Sequence, residues 1–208
     1  MSRALDETLM RRAIAAAQVR LGRTWPNPVV GCVIARGETV LAQTATADGG
    51  RPHAEEQALA QLGEAAHGAT VYITLEPCGQ RSSGAPSCSE RLAEVGVGRV
   101  VIAADNPEPL SAGRGLSRLR TAGVPVELGF LAQEAEPLYR AFRHKLRTGL
   151  PLLEAAATGE GFDTRFQLED GEAPVDALRR YARSGYTHLW VENSGGLANR
   201  LKNLGLLA

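Results

Sequence analysis

Short apolar runs that favour strands alternate along this chain with segments whose apolar residues recur at helical spacing, and that alternation constrains the fold more than any other feature. Residues 29–35 read as a buried strand, Arg36-Gly37-Glu38 as a hairpin turn into a strand at 40–42, and residues 70–75, 99–103 and 124–128 as further strands. Residues 8–21 place Leu9, Ala13, Ala16, Ala17 and Leu21 on one helical face, and a second helix opens at His53 and runs through Leu62. Further helices are expected over 89–95, 116–122 and 135–147. This order predicts an α/β sheet covered by helices on both faces, a three-layer α/β/α architecture.

Thr148-Gly149-Leu150-Pro151 marks a boundary, which divides the chain into a main domain, 1–150, and an appendage, 151–208. Within the appendage, residues 152–173 show no clean period and read as an irregular connector, followed by a helix at 175–184, a strand at 187–192 and a helix at 195–204. So short a segment is not expected to hold a core alone, and is expected to pack on the main domain or on another subunit.

Lys+Arg and Asp+Glu both number 23, so the formal net charge is zero and the footprint that binds a nucleic acid polymer is absent. A small molecule is the expected partner. No apolar stretch has the length of a signal peptide or a membrane span, and the expected location is cytoplasmic. Three cysteines is an odd number for a disulfide framework, and directs attention to metal binding or catalysis.

The informative residues are His53-Ala54-Glu55, opening a helix, Glu76-Pro77-Cys78, closing a strand, and Cys88, ten positions on. One imidazole and two thiolates leave zinc (Zn2+) a fourth position for water, while a carboxylate two residues beyond the histidine stays off the metal and moves protons. His53, Cys78 and Cys88 are therefore the expected ligands, and Glu55 the expected catalytic residue. Pro77 is expected to lead into a helix, so that Cys78 and Cys88 both lie near helix starts, where the peptide dipoles favour a thiolate. His-x-Glu alone, or two cysteines alone, is commonplace; the two together, in order and in strand-to-helix contexts, carry the signal. Nine residues separate the cysteines where this signature has two, so a loop must return Cys88 to the metal. Cys32 reads as core, and His67, His144 and His188 as surface or packing residues. Glu76 is expected to orient the cysteine loop, contact substrate or satisfy donors at the following helix start.

These residues, with Thr74-Leu75 before Glu76, Asn27-Pro28-Val29-Val30-Gly31, Gly113-Arg114-Gly115 and Arg147-Thr148-Gly149, resemble the deaminase half of the bifunctional riboflavin-biosynthesis deaminase/reductase, over about residues 5–151. The resemblance implies a cytidine-deaminase-like α/β/α fold and homodimers or higher homo-oligomers. It also implies hydrolytic deamination of 2,5-diamino-6-ribosylamino-4(3H)-pyrimidinone 5′-phosphate. Asn27 corresponds by position to the asparagine that contacts the base. The chain departs from the family at the loop Gln80-Arg81-Ser82-Ser83-Gly84-Ala85-Pro86-Ser87, which is one residue longer and lacks the family lysine and histidine. Asn106-Pro107-Glu108-Pro109 carries a glutamate in a motif that is usually Asp-Pro-Asn-Pro, and Thr46 stands where a histidine is expected. Glu108 would repel a phosphate, leaving Arg81 and Arg114 to compensate; with Asn27 and Asn106 they form the expected substrate-binding set.

Residues 151–208 resemble a degenerate remnant of the family's reductase domain, in its start and in the late turn Glu192-Asn193-Ser194-Gly195-Gly196. Without a complete glycine-rich βαβ unit, neither NADPH binding nor reductase activity is expected. Two other functions compete with the resemblance. One is a zinc deaminase of the same fold acting on another nucleobase or amino-heterocycle. The other is a non-catalytic zinc-containing scaffold, for which three ligands are one too few.

Overall fold

The computed structural model describes residues 2–81, 84–109 and 111–208. Helix α1 (Arg3–Gln18) precedes the hairpin β1 (Gly31–Arg36) and β2 (Thr39–Ala45). Then follow α2 (Ala54–Leu62), β3 (Thr70–Leu75), α3 (Cys88–Val95), β4 (Arg99–Ala104), α4 (Arg114–Thr121) and β5 (Val126–Leu128). The strands form one sheet in the order β2-β1-β3-β4-β5, antiparallel as far as β3 and parallel beyond it.

Successive residues of β1 point to opposite faces, and this divides the helices. A Cβ on Gly31 would lie 1.9 Å from the carbonyl oxygen of Ala13, so only glycine lets α1 approach so closely. On the other face Cys32 is fully buried, and Thr44, which pairs with it, donates its hydroxyl to the carbonyl of Ala54 at the start of α2. Buried Asp6 ties α1 to the sheet, accepting from the Tyr72 hydroxyl at 2.6 Å and from the Arg99 guanidinium at 3.0 Å. The three-layer α/β/α expectation holds.

Three expectations need correction. α1 begins at Arg3 rather than at residue 8, because the Ser2 hydroxyl accepts from the Leu5 N–H and caps the helix early. The helix expected over 135–147 is broken by a tight turn at Glu136–Leu138, where Pro137 sits, leaving the one-turn α5 (Ala132–Ala135) and α6 (Arg140–Thr148). The segment expected to be an irregular connector contains β6 (Leu152–Ala156) and β7 (Thr164–Arg165). With α7 (Pro174–Arg183), β8 (His188–Glu192) and α8 (Gly196–Asn203) they build a second, wholly parallel sheet in the order β6-β8-β7. Parallel strands covered by helices show no alternation of polar and apolar residues, so periodicity does not mark them.

This second unit has its own apolar cluster around Leu153, Phe166, Leu178, Leu189 and Leu201. It also rests on the main domain. The Trp25 and Tyr186 rings lie 4.2 Å apart, and Arg140 of α6 pairs with Glu154 of β6.

Candidate functional site

The site forms beyond the carboxyl ends of the parallel strands β3 and β4, where open α/β sheets leave a crevice. His53 ends an extended segment and is the N-cap of α2. Glu56, three residues into the helix, reaches back to accept from the His53 N–H at 2.9 Å. The imidazole Nδ1 lies 3.4 Å from Cys88 Sγ.

Cys88 is the first residue of α3, capped by Ser87, whose hydroxyl accepts from the Glu90 N–H. Cys78 lies in the loop after β3, and the described residues between Pro77 and Cys88 form no helix, which corrects that expectation. Cys78 nevertheless reaches a helix start through space, because the Cys88 N–H donates to its sulfur at 3.2 Å. Ligand atoms of His53, Cys78 and Cys88 all lie within 4.8 Å of one another, so these residues could share one ion. His67, His144 and His188 join no such cluster among the described residues.

Electrostatics sharpens the distinction between the two thiols. The hydrogen bond from Cys88 lowers the Cys78 thiol to about 4, helped by His53 and against the effect of burial. The same bond and burial push Cys88 well above its ordinary value. Burial also pushes the Glu55 carboxyl up, although nearby His53 opposes this. Glu55 is 3% exposed and its Oε2 has no hydrogen-bond partner among the described residues, a costly state for a buried carboxylate oxygen unless something bound in the pocket meets it.

A donor set of one imidazole and two sulfurs suits zinc, and the unpartnered oxygen of Glu55 suits a polar reactant next to it. His53, Glu55 and Cys78 line a cavity of about 530 Å³ together with Asn27, Thr46 and Asn106. Asn27 brings an amide with no hydrogen bond among the described residues, backed by Gly50, where a Cβ would stand 2.3 Å from Asn27 Nδ2. Thr46 turns its hydroxyl inward to Val30.

The other expected substrate contacts are arranged differently. The Asn106 amide is occupied within the protein, donating to the carbonyl of Glu76 after β3 and accepting from the Glu108 N–H of its own loop. Arg81 reaches the cavity wall, but its guanidinium pairs with Glu56 at 2.6 Å, lies 3.6 Å from Cys88 Sγ, and is almost wholly buried. Arg114 is not on the cavity wall; it donates to Gln80 and, beside Arg118, lines an adjoining groove that shares Gln80 and Arg81 with the cavity. Ser82 and Ser83 of the cysteine loop lie outside the described residues. Glu76 lines the cavity beside His53 and Cys78. Its carboxylate accepts from the N–H groups of Asn106, Gly113 and Leu116 and so caps α4.

The sequence reading missed two features. The link from Glu56 through Arg81 to Cys88 was legible only in part, through the position of Glu56 three residues after the N-cap. The face of α6 that lines the cavity, Phe142, Lys145, Leu146 and Gly149, has the helical spacing i, i+3, i+4, i+7, a signal present in the sequence but not attached to the site.

Residues 3–104 match the family described as the cytidine and deoxycytidylate deaminase zinc-binding region, and this part of the chain is a domain of that family. Within it, the relatives are riboflavin-biosynthesis proteins. The chain is 42% identical over 168 residues to the riboflavin biosynthesis protein RibD of Escherichia coli (strain K12), covering 81% of this chain and 45% of that protein. Identity to RibD of Actinobacillus pleuropneumoniae is 43% over 158 residues, 75% of this chain and 42% of that one. The chain thus spans less than half the length of these relatives. A structure of Acinetobacter baumannii RibD superposes with a TM-score of 0.80 at 24% identity, across 99% of this chain and 85% of that one, a likeness of fold. No helix among the described residues is long and apolar enough to cross a membrane.

Proposed function

We propose that this chain is a zinc-dependent hydrolytic deaminase acting on 2,5-diamino-6-ribosylamino-4(3H)-pyrimidinone 5′-phosphate. His53 Nδ1, Cys78 Sγ and Cys88 Sγ would hold the zinc. The observation that carries the reading is the buried, unpartnered Oε2 of Glu55 in the cavity that His53 and Cys78 also line.

Zinc with three protein ligands supplies an activated water at neutral pH. Glu55 moves the protons: it takes one from the attacking water and delivers it to the ring nitrogen beside the amine-bearing carbon. It then carries a second to the departing ammonia. Burial, which raises its carboxyl, brings Glu55 nearer the pH at which it must both accept and donate. Asn27 meets the base with its free amide, and the side chains of Leu75, Phe142 and Leu146 give the heterocycle an apolar wall. Residues 151–208 are read as a partial counterpart of the relatives' second domain, with no dinucleotide site, and the assembly as a homo-oligomer.

Glu55→Gln tests the reading. Zinc content should stay near one per chain while ammonia release falls roughly 10²- to 10⁴-fold, the usual weight of general acid–base catalysis. Undiminished turnover in that variant would remove Glu55 from the mechanism. A same-fold deaminase of an unphosphorylated base is the second reading, favoured by the engagement of Arg81 with Glu56 and the exclusion of Arg114 from the cavity. Ammonia release from cytosine or guanine, with none from the phosphoribosyl pyrimidine, would select it.

A further inference from the structure

We propose that Lys145 anchors the substrate's phosphate monoester, a task the sequence pattern assigns to Arg81 and Arg114. The inference rests on the deaminase reading above and adds a residue of α6 to its specificity.

Three cationic side chains besides His53 line the cavity: Arg51, Arg81 and Lys145. Glu56 neutralises Arg81. Lys145 is half-buried, and among the described residues its ammonium makes no hydrogen bond or ion pair. The charge of Asp163 is felt there, but that carboxylate already accepts from the N–H groups of Thr187 and His188 and from the Thr187 hydroxyl. Burial lowers the Lys145 ammonium from its ordinary value, the mark of a cation short of counter-charge.

Phe142 and Leu146, on the same face of α6, line the cavity on either side of Lys145 in the sequence. Among the described residues, exposed Arg51 is the second cation there without a protein partner, and two such cations suit a dianion better than a monoanion. The carboxylates on the wall are Glu55, Glu76 and Glu108. Backbone N–H groups occupy Glu76, and Glu55 serves the reacting ring, so Glu108 is the charge from which the phosphate must be held away. A cavity of about 530 Å³ has room for a sugar phosphate beyond the base.

The test compares zinc-loaded full-length wild type with Lys145→Ala and Lys145→Arg. Substrates are the phosphoribosyl pyrimidine and its dephosphorylated form. The preference for the phosphorylated substrate, as a ratio of kcat/KM values, should fall about 10- to 100-fold in Lys145→Ala, as expected for one hydrogen bond to a charged group, and should largely return in Lys145→Arg. Calorimetric titration with ribose 5-phosphate reads the anchor without turnover, and its affinity should fall by a similar factor in Lys145→Ala. An unchanged preference in Lys145→Ala, or ribose 5-phosphate binding that is absent in wild type or equal in Lys145→Ala, overturns the proposal. Wild type that releases ammonia from neither substrate refutes the deaminase reading, and the titration then decides Lys145 alone.

Discussion

Replacing Glu76 by alanine removes one carboxylate that satisfies three backbone donors inside the protein. Its Oε2 accepts from Asn106 at 3.3 Å and Gly113 at 3.1 Å, its Oε1 accepts from Leu116 at 3.1 Å, and the residue is 2% exposed. A hydrogen bond to a charged group contributes about 1.5–3 kcal/mol, and a buried donor left without a partner costs about 1–3 kcal/mol. The three bonds share one group, and the start of α4 can draw in water, so the total for Glu76→Ala is about 3–5 kcal/mol rather than the sum. Glu76→Gln keeps one acceptor but turns an NH₂ group towards backbone donors, and should cost about 2–3 kcal/mol. For a chain of this length the alanine loss corresponds to a melting-point drop of roughly 10 °C. Urea unfolding at fixed zinc concentration measures it, with an unchanged m-value showing that the native state stays compact. A loss under about 1 kcal/mol for Glu76→Ala would refute the capping role. So would a Glu76→Gln protein of normal stability whose only defect is in kcat/KM, which would make Glu76 a substrate contact.

Two further outcomes follow from side chains that hold other parts of the molecule. Arg81→Ala leaves Glu56 without its cation and Cys88 without a nearby guanidinium, so zinc affinity should fall about 10- to 100-fold in a chelator competition while the far-ultraviolet circular dichroism stays native. At the junction with the second unit, burial would raise the Glu154 carboxyl, but hydrogen bonds from His188 and Arg140 outweigh it and hold the group below its ordinary 4.5. Its stabilising contribution is therefore complete above pH 4.5 and is lost as the pH falls through the depressed value. Amides of β6 and β8 should lose exchange protection on acidification before those of β3 and β4, and Glu154→Gln should remove the pH dependence of that difference. Equal acid sensitivity in wild type and variant would show that Glu154 does not control the junction.

Much of the main domain is legible in the sequence alone. The strand at 70–75 appears with those bounds, because a wholly buried run of β-favouring residues has few alternatives. Errors fell where a local signal was overridden. Pro77 suggested a helix start and leads into an irregular loop, whereas Pro137 interrupts a pattern that periodicity ran straight through. β6 and β7 were invisible because a short parallel strand declares itself through its partner, here β8, which lies far along the chain from β6.

The gathering of His53, Cys78 and Cys88 follows from residue type and order, since few arrangements other than a shared metal place an imidazole and two thiols in such contexts. Charge partners do not follow in the same way. Sequence counted Arg81 and Arg114 as the cations available to substrate; only tertiary structure pairs the first with Glu56, turns the second into another groove, and brings Lys145 from α6 into the cavity. The physical reason is range. Donor identity, periodicity and capping act within a few residues, while the neutralisation of a long flexible side chain depends on whichever opposite charge the folded chain sets within about 4 Å of it.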